Sequence, residues 1–584
     1  MKAPKWSEIG GGATKVSKAV SSKWPVHAKM VGRIDYDALS QLPASAATKA
    51  IWESEKGWLI DPARYAAVPT TTRVRGAKRM QRDWFATLLK CGLIAPVPAD
   101  EVLGAVDVFP TAEEAKQRNR LIKEPKLINE LLGKETLRAL RFPTKREICE
   151  LTRAGEYFIA LDMAAYYDQF ALGEEVSRRF CFTNGERGAN QVTYRALTLT
   201  MGQRQAVGVA DAATNLLLDF PKRGRVARSI IDNVIFVGSK EQVVADATTF
   251  IERVRSVGAT LNEIDVQQPV TRAQVAALAK TSGEWGGIAL DMTSKTVKMS
   301  PKTLDKIRRS WDSRHSWTWR HFAAHIGLLF WSWGIIALPM ADFFAVLRFV
   351  SEMGRRFTED PTLWDRRADI WPSVWPQLER WTDLAVANAP RLVPQQSTAE
   401  LLVMTDASEW GWGYVALDES TGQVHQHGER WSYDLRRNHG SKLRHSTFAE
   451  PQAVINTMCH LLRADSPRHV RFGSDNTVTV ASYNRGFNTH SFDINECLRR
   501  CHDYFGDGWT FEFMHIPGEK NLADPFSRNR VAGEGDRAAI SAELRRLVGN
   551  PQPASPPGVP TVPHLTGDAF SVDDGSACDD GIDD

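Results

Sequence analysis

The chain has 584 residues, 43% of them hydrophobic and 24% charged, with Lys+Arg 73 against Asp+Glu 70 and a formal net charge of +3. That composition excludes a disordered chain, and the length predicts three or four domains at roughly 150 residues each. The seven cysteines (91, 149, 181, 459, 497, 501 and 578) contain no Cys-x-x-Cys pair, which argues against a disulfide scaffold or a structural zinc site and fits a reducing compartment.

In chain order, residues 1–100 open without the apolar core of a secretory signal. Residues 2–29 hold six Lys and one acid, Glu8, so a solvated basic arm or extension is expected there. Over 101–300, short β-rich runs alternate with helical stretches in an α+β pattern. Residues 301–395 read as helical and contain nine Trp between Trp311 and Trp381. Aromatics at that density are expected in packing rather than in base stacking. The apolar run Ile326–Met340 has 15 residues and includes Pro339. A membrane span needs about 20, so a buried helix is predicted and no membrane partner is expected.

The stretch from Ala389-Pro390 to Pro394, followed by Gln-Gln-Ser-Thr, reads as a linker. Residues 396–532 then predict a mixed α/β domain. Its strands are LLVMT, GWGYVAL, QVHQHGERW, HVRFGS and WTFEFMHI, with helices after the third, fourth and fifth. Residues 533–584 are expected to be a linker and an acidic disordered tail. Residues 551–563 contain six Pro, and all seven charged residues of 551–584 are Asp. Without those seven Asp the net charge rises from +3 to +10, so the body permits a polyanionic partner.

Two groups of carboxylates stand out. Glu156-Tyr-Phe-Ile-Ala-Leu-Asp162 reads as a buried strand ending in an acid. Arg228-Ser-Ile-Ile-Asp232-Asn233-Val-Ile-Phe-Val-Gly reads as a hairpin with Asp232-Asn233 at its two-residue centre, where positive φ is tolerated. Each acid alone reads as a cap or turn residue. If the two segments pair, Asp162 and Asp232 converge and need a cation between them, and hard oxygen ligands favour Mg2+. In the second group, Asp406 ends a strand, Glu450 sits early in a helix beginning near Ser446, Asp475 follows HVRFGS, and Asp524 starts a helix after His515-Ile-Pro-Gly-Glu-Lys-Asn521-Leu-Ala.

Asp162-Met-Ala-Ala-Tyr-Tyr167-Asp-Gln169-Phe170, Leu197-Thr-Leu-Thr-Met-Gly202-Gln203 and Ile230-Ile-Asp232-Asn233 resemble the palm motifs of reverse transcriptases, in the same order. Arg120-Leu-Ile-Lys-Glu-Pro-Lys126-Leu-Ile-Asn129 resembles the fingers segment that contacts the incoming triphosphate. Gly258-Ala-Thr-Leu-Asn262 and Trp285-Gly286-Gly287 resemble the motifs before the thumb, the latter near the primer grip. Asp406, Glu450, Asp475 and Asp524 resemble the Asp–Glu–Asp–Asp set of retroelement ribonuclease H.

The resemblance implies a right-hand polymerase over 101–300, a thumb or connection over 301–395 and a ribonuclease H-like domain over 396–532. It implies an RNA-directed DNA polymerase that also cleaves the RNA of RNA–DNA hybrids, with two Mg2+ at each site. The partners are then an RNA template, a DNA primer or product and dNTPs. Asp162 and Asp232 would be polymerase ligands. Arg120 and Lys126 would hold phosphates, Tyr167 would exclude a 2′-OH, and Gly202 and Gln203 would lie at the nascent pair. Trp285 and Gly286 would grip the primer, and His515 would aid product release. Asn233 stands where the family carries a second Asp, and Ile230 where it carries Tyr. Weaker metal affinity and a Mn2+ preference are therefore expected at this site. The alternatives are a nuclease with an inactive palm, or a domesticated protein that binds nucleic acid without catalysis. No Asp-Thr/Ser-Gly protease motif or zinc-binding integrase module occurs, and a tyrosine-recombinase retroelement group (DIRS-like or VIPER-like) is the nearest in texture. An intracellular setting, cytoplasmic or nuclear, is expected.

Overall fold

The computed structural model describes residues 23–549, apart from 114–115, 134–135, 394–399, 463–468, 506–508 and 529–536. Most of the basic N-terminal stretch, the linker at 394–399 and the acidic tail lie outside the described residues. The chain forms two compact units divided between Val297 and Lys298. Among the described residues, no helix is long and apolar enough to cross a membrane.

The first unit carries β1 (Ile94–Pro96), β2 (Asp107–Glu113), β3 (Arg118–Glu124), β4 (Tyr157–Asp162), β5 (Cys181–Thr183), β6 (Thr193–Ala196), β7 (Val226–Ile230), β8 (Asn233–Gly238), β9 (Ser282–Trp285) and β10 (Ile288–Asp291). Its central sheet is antiparallel, in the order β4-β8-β7. The middle strand is an unbroken apolar run, and Val234, Ile235, Phe236 and Val237 are all fully buried. Such a strand needs cover on both faces.

The helices Ala206–Leu218 and Lys240–Ser256 belong to the same core, through Val209, Ala213, Leu216, Phe250 and Val254. A Ser239–Gln242 capping box starts the second helix immediately after β8. Arg138 ties the helix Ala46–Ile60 to the helix Ala206–Leu218. It reaches Asp211 at 2.6 Å and Glu55 at 3.3 Å, and both acids are buried. The hairpins β2–β3 and β9–β10 stand outside the central sheet.

β7 and β8 do form the expected hairpin, but its centre is shifted by one residue. Ile230 pairs with Asn233, so the turn consists of Ile231 and Asp232. Ile231, not Asn233, takes the left-handed φ of 57°. A β-branched side chain there is strained by roughly 1–3 kcal/mol. Tertiary contact overrides the local preference, because Ile231 packs on the core and its carbonyl accepts the Thr214 hydroxyl at 2.7 Å.

The second unit begins with β11 (Thr296–Met299, shared across the boundary) and four long helices, Pro301–Asp312, Trp319–Ile336, Phe344–Glu359 and Trp375–Ala387. Four of the nine Trp residues are core. Trp317, Trp319, Trp364 and Trp381 are buried, and Trp311 stacks on the buried His325 at 5.5 Å. The predicted buried helix over Ile326–Met340 stops at Ile336, with Ala337 in a left-handed cap ahead of Pro339.

After β12 (Arg391–Leu392) come β13 (Leu401–Ala407), β14 (Gly411–Asp418), β15 (Val424–Arg430), β16 (His469–Ser474) and β17 (Thr510–His515). Their order is β15-β14-β13-β16-β17. The first three strands are antiparallel, and β13, β16 and β17 run parallel. This is a ribonuclease H-like mixed sheet, and the whole chain is an α+β and α/β multidomain fold. The helix Ser446–Leu461 covers one face through Val454 and Met458.

The other face is covered by residues expected to be linker. The helix Arg537–Leu544 and the turn Arg545–Gly549 place Leu544 and Val548 against Leu402, Met404, Val415 and Leu417. The apolar spacing of Ile540, Leu544 and Val548 is helical, and it overrides the linker reading drawn from the proline-rich stretch beyond it.

Candidate functional site

In the first unit, Asp162 ends β4 directly opposite Asn233, one residue from the turn that carries Asp232. Met163 donates its backbone N–H to the Asp232 carbonyl at 3.0 Å, which fixes the two segments to each other. The Asp162 carboxylate accepts the Asn262 side-chain amide at 2.6 Å. Its backbone N–H is held by the Glu263 carboxylate at 2.9 Å. Burial, then the Asp232 charge, push the Asp162 carboxyl up to about 6, with Glu263 adding to the rise. Burial also raises Asp232. Two half-buried carboxylates held together in this way favour a hard cation between them.

Both acids line a cleft of about 370 Å³. Tyr167 lies in its wall, its hydroxyl pushed up to about 12 by burial and the Asp232 charge. The loop after Asp162 is held from below by Gln169. Its side chain donates to the carbonyls of Ala164 (2.7 Å) and Thr260 (2.9 Å) and accepts the Thr260 N–H at 2.8 Å.

Arg120 lines the cleft and pairs with Glu113 at 2.7 Å. The other cations along it are Lys29, Lys116, Arg118 and Lys123, none of which was anticipated. Lys123 is buried and reaches the Thr198 hydroxyl at 3.3 Å, and burial lowers its pKa. Its place on β3, three residues from Arg120, was the available signal. Lys29 could not be found by motif, since it reaches Asn262 (3.3 Å) from 233 positions away.

Several expected contacts fall elsewhere. Lys126 starts a short helix and lines a separate depression with Arg73, Arg75 and Lys78. Gly202 faces the end of β3. A Cβ there would lie 2.6 Å from the Lys123 carbonyl oxygen, a close approach that only glycine allows. Gln203 is buried and donates to the Tyr65 hydroxyl at 2.9 Å. Asn233 turns its amide N–H to Asp232 at 3.1 Å rather than offering its carbonyl. Trp285 is buried, and Gly286 turns the β9–β10 hairpin with a φ of 57° close to Ile230, beside the Asp232 turn.

In the second unit, Asp406, Glu450 and Asp475 each offer an oxygen, all within 4.8 Å of one another. They are one such group among the described residues. Asp406 comes from central β13 beside parallel β16, whose end delivers Asp475. Glu450 comes from the helix packed on β13. The Ala407 N–H binds Glu450 at 3.1 Å. Asp406 accepts Asn521 at 3.1 Å and the Ser527 hydroxyl at 2.5 Å. Burial, opposed by the Ser527 bond and reinforced by Asp475 and Asp524, pushes Asp406 up to about 6. Burial and the charges of Asp406 and Asp475 raise Glu450 well above the usual range.

Asp524 opens the four-residue helix Asp524–Ser527 and pairs with Arg528 at 2.9 Å, outside the group of three. His515 is exposed and pairs in register with Ser474; burial raises the Asp475 carboxyl, and His515 opposes part of that rise. A cluster of buried carboxylates held unneutralised fits a hard divalent cation such as Mg2+.

No family model and no curated protein matches the chain. Solved structures of foamy viral protease-reverse transcriptase are similar to it. The complex with dsDNA matches at 12% identity over 82% of this chain and 96% of that chain, with a TM-score of 0.42. The complex with RNA/DNA hybrid matches at 11% over 91% and 60%, also at 0.42. A dRH form with ds DNA matches at 12% over 87% and 85%, again at 0.42.

Proposed function

We propose that this chain is an RNA-directed DNA polymerase with ribonuclease H activity, copying retroelement RNA into DNA and cleaving the RNA strand of the resulting hybrid. The observation that carries this reading is the presence of two separate carboxylate sites in one chain, one half-buried and one largely buried. One is at a palm-type hairpin. The other is at the centre of a ribonuclease H-like sheet, where Asp406, Glu450 and Asp475 converge within 4.8 Å. Two Mg2+ per site, or Mn2+, would be held by Asp162 and Asp232 in the first and by Asp406, Glu450, Asp475 and Asp524 in the second. Bound there, they would supply charge stabilisation at the oxygens that attack and leave in phosphoryl transfer.

The chain's own residues do the positioning. Arg120, with Lys116, Arg118 and Lys29 along the same cleft, supports capture of the dNTP phosphates. Tyr167 supports selection of deoxynucleotides by closing the wall of the cleft. Trp285 and Gly286 support a primer contact, because their hairpin tip meets Ile230 beside Asp232. The RNA template, the DNA primer and the RNA–DNA hybrid are the partners of this reading. A tyrosine-recombinase element is its proposed source, and His515 a proposed aid to product release.

A second reading, a nuclease with a palm that only binds hybrid, is favoured by Asn233, whose amide binds Asp232 and leaves the palm one carboxylate short. Purified Asp162→Ala and Asp406→Ala variants separate the two. The first should lose primer extension and keep RNA cleavage, and the second the reverse. Extension that survives Asp162→Ala, or that is absent from the wild-type chain with both Mg2+ and Mn2+, removes the polymerase reading.

A further inference from the structure

Beside the nuclease carboxylates lies a depression of about 360 Å³ lined by Ser408, Glu409, Trp410, Arg444 and Arg528. Each wall hangs from an element that delivers one acid. Trp410 is in the turn after β13, which carries Asp406. Arg444 sits just before the helix that carries Glu450. Arg528 follows the short helix that carries Asp524. On the nuclease reading, a substrate strand with its phosphate at Asp406 would have this depression next to it.

The turn is rigid. The Ser408 N–H bonds the Gly411 carbonyl at 2.9 Å, the Ser408 hydroxyl donates to the Ser527 carbonyl at 2.7 Å, and the Trp410 N–H bonds the Ser408 hydroxyl at 3.2 Å. The Trp431 N–H closes on the Trp410 carbonyl at 3.3 Å. On this frame Trp410 is 63% exposed, whereas its neighbours Trp412 and Trp431 are 4% and 1% exposed. The local core thus consumes two of the three indoles and presents the third to solvent. Arg444 and Arg528 keep 76% and 49% of their side chains exposed. Arg444 meets Glu409 only at 3.6 Å, an exposed pair that a phosphate can displace. An exposed indole flanked by two guanidinium groups has the chemistry that holds a nucleotide: a flat face for sugar or base, and planar donors for phosphate.

We propose that this depression is the subsite for the nucleotide flanking the cleaved phosphate, with Trp410 as its stacking platform and Arg444 and Arg528 as its phosphate holders. It rests on the nuclease reading above. Trp410 is a specificity-determining residue here and touches no metal ligand, so its loss should weaken binding without slowing the chemical step.

The test is steady-state cleavage of an RNA–DNA hybrid with Mg2+ by the full chain. Trp410→Ala should raise KM about tenfold, the effect of losing one stacked nucleotide, with kcat and Tm unchanged. Trp410→Phe should stay near wild type. A Trp410→Ala variant with wild-type KM, or with a lowered kcat alone, overturns the proposal. If the wild-type chain cleaves nothing, the nuclease reading fails. The subsite is then judged by anisotropy of a fluorescein-labelled hybrid, where about tenfold weaker binding by Trp410→Ala supports it and unchanged binding overturns it.

Discussion

Asp162 and Asn233 face each other across the β4–β8 pair, yet Asn233 gives its amide to Asp232 instead, at 3.1 Å. The residue opposite Asp162 therefore acts as a neutral donor to Asp232. Asn233→Asp converts that donor into a third charge beside two carboxylates already raised by burial. Without metal at pH 7.5, the variant should be less stable by about 1–2 kcal/mol in denaturant titration. With Mg2+ it should extend a primer at lower metal concentration than the wild type. An unchanged metal requirement would show that position 233 does not tune the site.

Asp406→Asn should stabilise the metal-free chain at neutral pH. The folded state raises this carboxyl from 3.8 to about 6. Its contribution to stability is therefore fully present below about 3.8 and is lost as pH rises through about 6. At pH 7.5, in chelator, the amide should melt higher by at most about 2–3 kcal/mol of unfolding free energy. The gap should close at pH 4 and shrink when Mg2+ is added to both proteins. Thermal melts at the two pH values read this directly, and equal melting at pH 7.5 would refute it.

Ser527→Ala removes the hydroxyl that donates to Asp406 at 2.5 Å. A buried hydrogen bond to a charged group contributes about 1.5–3 kcal/mol. RNA cleavage should fall at least about tenfold, primer extension should be unaltered, and Ser527→Thr should restore part of the loss. A parallel loss of extension would indicate unfolding rather than misplacement of Asp406.

Gly202→Ala should destabilise the first unit by about 1–3 kcal/mol, because the added methyl would lie 2.6 Å from the Lys123 carbonyl oxygen. Urea unfolding measures this. No change in midpoint would mean that the β3 segment yields to the methyl without cost.

The places of Asp162 and Asp475 in the fold were legible because each sits where a strand ends. Asp162 closes YFIALD, and Asp475 follows HVRFGS. The turn was misplaced by one residue because local preference favours Asp-Asn over Ile-Asp, while the pairing of Ile230 with Asn233 is set by the whole sheet. The cationic wall was half legible. Arg120 belongs to a recognisable segment, but Lys29 reaches the cleft from the far N-terminal side through contacts that leave no periodic trace. The contacts that Gly202 and Gln203 make within the fold, against Lys123 and Tyr65, leave no trace in the motif that carries them.

The helix at Arg537–Leu544 also bears on where the five-stranded sheet can be cut. A fragment ending at Arg528 would keep every candidate carboxylate and still leave Leu402, Met404, Val415 and Leu417 without Leu544 and Val548 above them. That partly uncovered apolar face would seek cover from other copies of itself, so such a fragment should aggregate more readily than one that keeps Leu544 and Val548. A fragment carried through Gly549 retains its own lid over that face, and the experimentally useful end of this domain lies 25 residues beyond Asp524.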